Sequence, residues 1–228
     1  MESYTNQLAA DFRMVEGLKA CINCGTCTAV CPAAGVNDYD PRIVVDVVQQ
    51  HDEAKLVELL KSDTIWMCGE CLSCKTRCPR GNVPGYIIQA LRSLSMESGL
   101  FMESRQGQKQ LALKRTIGEH ILKYGYCVFV NEINTGMYPE QGPVWDWLQK
   151  NRKQVLERLG TSYGKEQSGS LRTIPEESMQ NLKKIFDETG ATRRFEKIEE
   201  YSRSNARKKG INIGSGSSCD YFREMYEE

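Results

Sequence analysis

Residues 21–32 read CINCGTCTAVCP and residues 68–79 read CGECLSCKTRCP. Both obey C-x2-C-x2-C-x3-C-P, so the chain repeats one cysteine pattern with a proline closing each copy (Pro32, Pro79). The two copies take eight of the ten cysteines, leaving Cys127 and Cys219 apart. Residues 1–11 have no basic segment and no apolar core of a leader, so the expected location is the cytoplasm. Reducing conditions there disfavour structural disulfides, and metal or redox chemistry becomes the leading explanation for clustered thiols.

Zinc sites combine C-x2-C units two at a time around one tetrahedral ion. A third cysteine at +6 and a fourth at +10 before proline has no part in that scheme. A cubane cluster offers four irons, each needing one terminal thiolate. Three cysteines spaced three apart can wrap three corners, and in two-cluster ferredoxins the fourth ligates the other cube. The pattern therefore predicts two [4Fe–4S] clusters. Cys21, Cys24, Cys27 and Cys78 are expected to hold cluster one; Cys68, Cys71, Cys74 and Cys31 are expected to hold cluster two. Gly25 and Gly69 are expected to help backbone N–H groups turn toward the sulfurs.

The rest of the chain offers no competing chemistry. Thirty basic and thirty acidic side chains balance to zero, which leaves no footprint for nucleic acid. No apolar run approaches the ~20 residues of a membrane span. His51 and His120 lack a second ligand at metal spacing and read as surface helix residues. Cys127, in the apolar stretch YCVFV, reads as a buried small hydrophobe, and Cys219 as exposed. Lys75, Arg77 and Arg80 flank the second motif as a solvated rim, or as a docking edge beside an anionic cluster. Residues 214–218 (GSGSS) lack the lysine and the strand of a phosphate loop and read as flexible linker.

The periodicity is helical throughout, giving an all-α chain. Helices are expected over 5–20 (Leu8, Phe12, Val15, Leu18), 42–50 behind Asp40-Pro41, 52–61, 84–99, 103–124, 144–159, 175–189 and 191–209. Tyr126 to Val130 could be a short strand or an extended segment, 131–143 a loop, and 160–170 a polar linker. The expected organisation is a cluster-binding domain over 1–125, a helical partner-docking extension over 126–209 and a flexible tail over 210–228.

CINCGTCTAVCP, DYDPRIVVDVV and IWMCGECLSCKTRCPRGNVP, followed by IIQALRSL, together resemble the C subunit of heterodisulfide reductase across residues 15–130. The resemblance implies an α-helical ferredoxin fold and an electron relay within an oxidoreductase complex. The partners it implies are a flavin- and cluster-containing subunit and a disulfide-handling subunit with Cys-Cys-Gly motifs. Beyond residue 140 the chain is similar to longer sulfur-oxidising versions, which imply a lipoate-binding carrier. This chain lacks adjacent cysteines and a Rossmann-type glycine pattern, so no catalytic residue is expected in it. The alternative is the iron–sulfur subunit of a respiratory dehydrogenase, but neither a plant-type [2Fe–2S] domain nor Cys-Cys-Gly repeats are present.

Overall fold

The computed structural model of the chain describes residues 2–36, 39–135, 141–214 and 219–226. Gly136 and Pro139 of the expected loop, and four of the five residues of GSGSS, lie outside them. The described residues are mainly helical, with no strand among them, and the segment 126–130 is irregular, bending over 126–128. The chain divides into two compact units, Met1–Gln108 and Lys109–Glu228. That division falls at 108 rather than at the expected 125.

The first unit opens with two short helices, α1 (Tyr4–Ala9) and α2 (Phe12–Gly17), where one is expected. Asp11 ends the run, because its carboxylate accepts from Arg13 N–H and caps a new helix. The break turns the apolar face. Leu8, Met14 and Gly17 are buried, while Phe12 and Val15 are 81% and 77% exposed. Gly17 lets α2 approach closely, since a Cβ there would stand 3.0 Å from Ile87 Cγ1.

After the short α3 (Thr26–Ala29), Asp40 caps α4 (Pro41–Gln49) as the sequence predicts, and Asp52, expected as the first residue of its helix, caps α5 (Glu53–Lys61). Helix α6 (Pro84–Ser98) starts on its proline and stops at Gly99 with φ 80°, a left-handed stop that favours glycine. Val44, Val45 and Val48 of α4 meet Leu56, Leu59 and Leu60 of α5 and Ile87, Ile88 and Leu91 of α6. Burying each such side chain stabilises the unit by about 2 kcal/mol relative to exposure. Arg13 ties α2 to α6 by donating to Gln89 O (3.0 Å) and Ser93 Oγ (2.9 Å).

The expected helix over 103–124 is broken into α7 (Arg105–Gln108), α8 (Gln110–Leu113), a π turn (Lys114–Gly118) and α9 (Glu119–Tyr124). In the second unit the π turn leaves Gly118 open to Phe195, whose ring carbon would lie 2.6 Å from a Cβ at 118. Then come α10 (Pro143–Arg158), α11 (Glu176–Glu188), α12 (Ala191–Lys209) and α13 (Asp220–Tyr226). The segment expected as linker closes on itself, with Ser162 N–H donating to Ser170 O at 2.9 Å. Within the tail expected to be flexible, α13 buries Tyr221, Phe222 and Met225. Their spacing places all three on one helix face. His120 is also buried, where a surface position is expected.

Arg115 anchors that arrangement. Its buried guanidinium holds both Glu199 oxygens (2.7 and 2.8 Å) and donates to Ile213 O (3.0 Å) and Gly214 O (3.1 Å). Burial pushes the Glu199 carboxyl up, but Arg115 and Lys114 outweigh it and hold it down at about 2. A carboxyl depressed in the folded state stabilises fully above its unfolded value of 4.5, and that contribution is lost as pH falls toward 2. Arg115→Met should take from Glu199 its two-pronged partner, leaving Lys114 (3.0 Å) and Arg203 (3.4 Å), and cost about 3 kcal/mol, read as a lower thermal midpoint at neutral pH. Glu199→Gln should flatten the acid limb of stability against pH. An unchanged midpoint in the first variant would remove this ion pair from the account.

Candidate iron–sulfur site

Both cysteine loops use the same backbone device at matching positions. Asn23 (φ 57°) and Gly25 (φ 77°) are left-handed in the first loop, Glu70 (φ 52°) and Leu72 (φ 57°) in the second. Gly25 is thus used as expected. Gly69 is absent from the left-handed positions, and the matching turn in loop two is made by Leu72, a residue for which that conformation is costly. The wrap aims backbone donors at sulfur: Asn23 N–H meets Cys21 Sγ and Glu70 N–H meets Cys68 Sγ, each at 3.4 Å. Hydroxyls repeat as well. Thr26 Oγ1 lies 3.3 Å from Cys24 Sγ, and Ser73 Oγ lies 3.4 Å from Cys71 Sγ.

Two ties bring the distant fourth cysteine of the second motif to the first loop. Val83 N–H donates to Gly17 O (2.9 Å), and Lys19 N–H donates to Asn82 Oδ1 (2.6 Å). Asn82 N–H in turn donates to Cys78 Sγ (3.3 Å). The result is a hollow of about 360 Å³ whose walls include Cys21, Cys24, Cys27 and Cys78, with Arg42 and Arg80 among its rim. A second hollow, of about 370 Å³, has Cys68, Cys71, Cys74 and Cys31 in its walls, together with Cys27 and Tyr39. Pro84 at the start of α6 borders both, so the positive end of that helix faces the space where an anionic group would sit.

The loops are clamped differently. Gln49 accepts from Cys21 N–H (2.6 Å) and donates to Cys21 O (3.2 Å). Arg92 instead donates to Cys68 O (2.6 Å) and Ile65 O (2.7 Å), pairs with Glu70, and lies over the Trp66 ring. Burial raises Cys27, Cys68 and Cys74. The Thr26 hydroxyl lowers Cys24, and the Ser73 hydroxyl lowers Cys71. Buried thiols held up as neutral need a compensating cation once deprotonated, and metal coordination supplies one.

Among the described residues, no three His, Cys, Asp or Glu side chains converge on a point suited to one metal ion. The thiols stand around two cradles, and an all-sulfur donor set fits the corners of a cluster. Of the flanking cations, Arg80 borders the first hollow, Lys75 pairs with Glu16 (3.6 Å), and Arg77 is exposed. Cys127 is exposed rather than buried, and Cys219 is half-buried rather than exposed. Sequence reasoning misses Tyr39, Gln49, Asn82 and Arg92. Arg92 leaves one signal, a lone cation in an apolar helix. No described helix is long and apolar enough to cross a membrane.

Comparison with known proteins places these observations in a family. A 4Fe-4S dicluster domain model matches residues 17–82. The C subunit of the ferredoxin:CoB-CoM heterodisulfide reductase of Methanosarcina acetivorans is 36% identical over 146 residues, covering 64% of this chain and 55% of that protein. The iron-sulfur C subunit of the CoB–CoM heterodisulfide reductase of Methanopyrus kandleri is 30% identical, covering 52% and 55%. The chain thus spans just over half the length of these two relatives. The second iron-sulfur C subunit of the Methanocaldococcus jannaschii reductase is 34% identical over 147 residues, covering 62% of this chain and 72% of that protein. With a helical fold, a dicluster motif and relatives of this breadth, the chain belongs to the family of iron–sulfur C subunits of heterodisulfide reductase.

Proposed function

We propose that this chain is the electron relay of a heterodisulfide-reductase-like complex, carrying two [4Fe–4S] clusters. Cys21, Cys24, Cys27 and Cys78 hold cluster one; Cys68, Cys71, Cys74 and Cys31 hold cluster two. The observation that supports the reading is the wall composition of the two hollows: the first takes Cys21, Cys24 and Cys27 with Cys78 of the other motif, and the second takes Cys68, Cys71 and Cys74 with Cys31 of the other motif, Cys27 bordering both. Bound clusters supply one-electron chemistry. The chain supplies thiolates, N–H donors at Cys21, Cys68 and Cys78, and a fixed spacing through Cys27 and Pro84, which border both hollows.

On this reading the disulfide is cleaved or formed in a partner. Reducing it takes two electrons and two protons, so the relay serves that step by two single-electron transfers. The partners are a flavin- and cluster-containing subunit and a disulfide-handling subunit with Cys-Cys-Gly motifs. The sulfur-oxidising variant of the proposal adds a lipoate-binding carrier. The second unit, whose α10 exposes Val144 and Trp147 and is followed by the exposed Leu159, is assigned to docking within that complex. The whole is assigned to the cytoplasm.

Anaerobically purified protein should contain eight irons and eight sulfides per chain, as two four-iron clusters require. The crossed ligation makes a sharper prediction. Cys31→Ser should perturb the same paramagnetic resonance signal as Cys68→Ser, and Cys78→Ser the same signal as Cys21→Ser. Pairing of Cys31 with Cys21 instead would overturn the crossing. Arg92→Met, which frees Cys68 O and Ile65 O, should speed iron loss from cluster two to a chelator by about tenfold, the usual scale for a supporting hydrogen bond at a metal site.

A further inference from the structure

Each hollow is bordered by one deeply buried side-chain donor. Tyr39 is 3% exposed and borders the second hollow. Asn82 is 2% exposed and borders the first. Asn82 Nδ2 has no hydrogen-bond partner among the described residues, and the Tyr39 hydroxyl has none but the Cys68 thiol it lies beside. Buried donors are almost always satisfied, so an orphan of this kind marks a missing acceptor. The amide orientation of Asn82 is fixed by its own network. Its oxygen accepts from Lys19 N–H, which leaves the NH2 as the free end. Trp66 Nε1 is also unpartnered, but Trp66 borders neither hollow.

We propose that the Tyr39 hydroxyl and the Asn82 side-chain amide each donate to sulfur in the hollow they border, and so raise the reduction potentials of clusters two and one. The inference rests on the cluster reading above and adds the residues that set the potentials. Reduction adds negative charge to the sulfurs, so a fixed donor stabilises the reduced form more than the oxidised one. Neither donor comes from the cysteine motifs. The two hollows therefore differ in donor chemistry, a phenol in one and an amide in the other, although their loops repeat.

The test is a redox titration of the full chain, followed by paramagnetic resonance, in wild type, Tyr39→Phe and Asn82→Asp. Asn82→Asp keeps the oxygen that accepts from Lys19 and removes the donor. Tyr39→Phe should lower the reduced-to-oxidised ratio of cluster two about tenfold at fixed ambient potential, a shift of about 59 mV for one electron, with cluster one unmoved. Asn82→Asp should move cluster one alone. Because aspartate adds charge, deuterium exchange read by pulsed resonance separates the two effects: each variant should lose one exchangeable proton coupled to its own cluster. Intact clusters with unmoved midpoints overturn the inference and leave the relay standing. A wild-type chain without clusters overturns both. If Asn82→Asp sheds iron, Tyr39→Phe decides alone, since it removes a single oxygen from a packed ring.

Discussion

The short tie between residues 17–19 and 82–83 is the constraint on which the first unit depends. Val83 N–H reaches Gly17 O, and Lys19 N–H reaches Asn82 Oδ1, across more than sixty residues of chain. Without it, Cys78 has no reason to stand beside Cys21. The tie sits at the start of α6, where α2 packs closely because residue 17 is glycine. Core packing, loop register and donor geometry are thus one problem. Closing a loop of this length is entropically unfavourable, and the helices between the motifs offset that cost by burying Val44, Val45, Leu60 and Ile65.

Two loops with equal spacing do not make two equal sites. The backbone donors and the hydroxyls repeat almost atom for atom. What differs lies outside the motifs: a neutral glutamine clamps the first loop, and an arginine clamps the second. A cation held against Cys68 O favours added negative charge nearby, while Gln49 contributes only dipoles. Arg42 and Arg80 rim the first hollow from more exposed positions, where solvent screens them. Duplicated ligands with diverged supports are a physical route to two neighbouring sites of unequal affinity for an electron.

What can be read from the sequence follows the range of the interaction involved. Asp40-Pro41, Asp52, Pro84 and Gly99 are local capping signals, and the helices they bound stand where expected. The single helix expected over 5–20 is two helices because Asp11 satisfies a helix-interior pattern and a cap equally well in sequence. Only the cap leaves Phe12 and Val15 in solvent. Gly69 invites a left-handed reading because glycine is the usual residue there, yet the repeat places that conformation at Glu70 and Leu72. The cysteines are legible because covalent chemistry fixes their spacing. Tyr39, Asn82 and Arg92 are not, because their roles depend on contacts that no periodicity encodes.

The second unit shows the opposite economy, with no repeated motif and one buried charge network at its centre. A buried ion pair is a poor source of net stability, because desolvating two charges offsets most of their attraction. Arg115 nevertheless does something a leucine could not. Two more of its N–H groups are taken by Ile213 O and Gly214 O, which fixes the chain path at those two residues. The Phe222 ring then lies over the same guanidinium, Tyr221 and Met225 are buried on the same helix, and Asn205 donates to the Tyr221 hydroxyl (3.1 Å). Direction, rather than strength, is what the arginine contributes: its planar donors, fixed on Glu199, specify where Ile213 and Gly214 lie. The π turn at Lys114–Gly118 widens the helix at the residue that must reach inward. The described part of the tail, with Ile213, Tyr221, Phe222 and Met225 buried, is therefore packed in this unit, and a composition rich in glycine and serine conceals that because the anchoring charge lies about a hundred residues upstream.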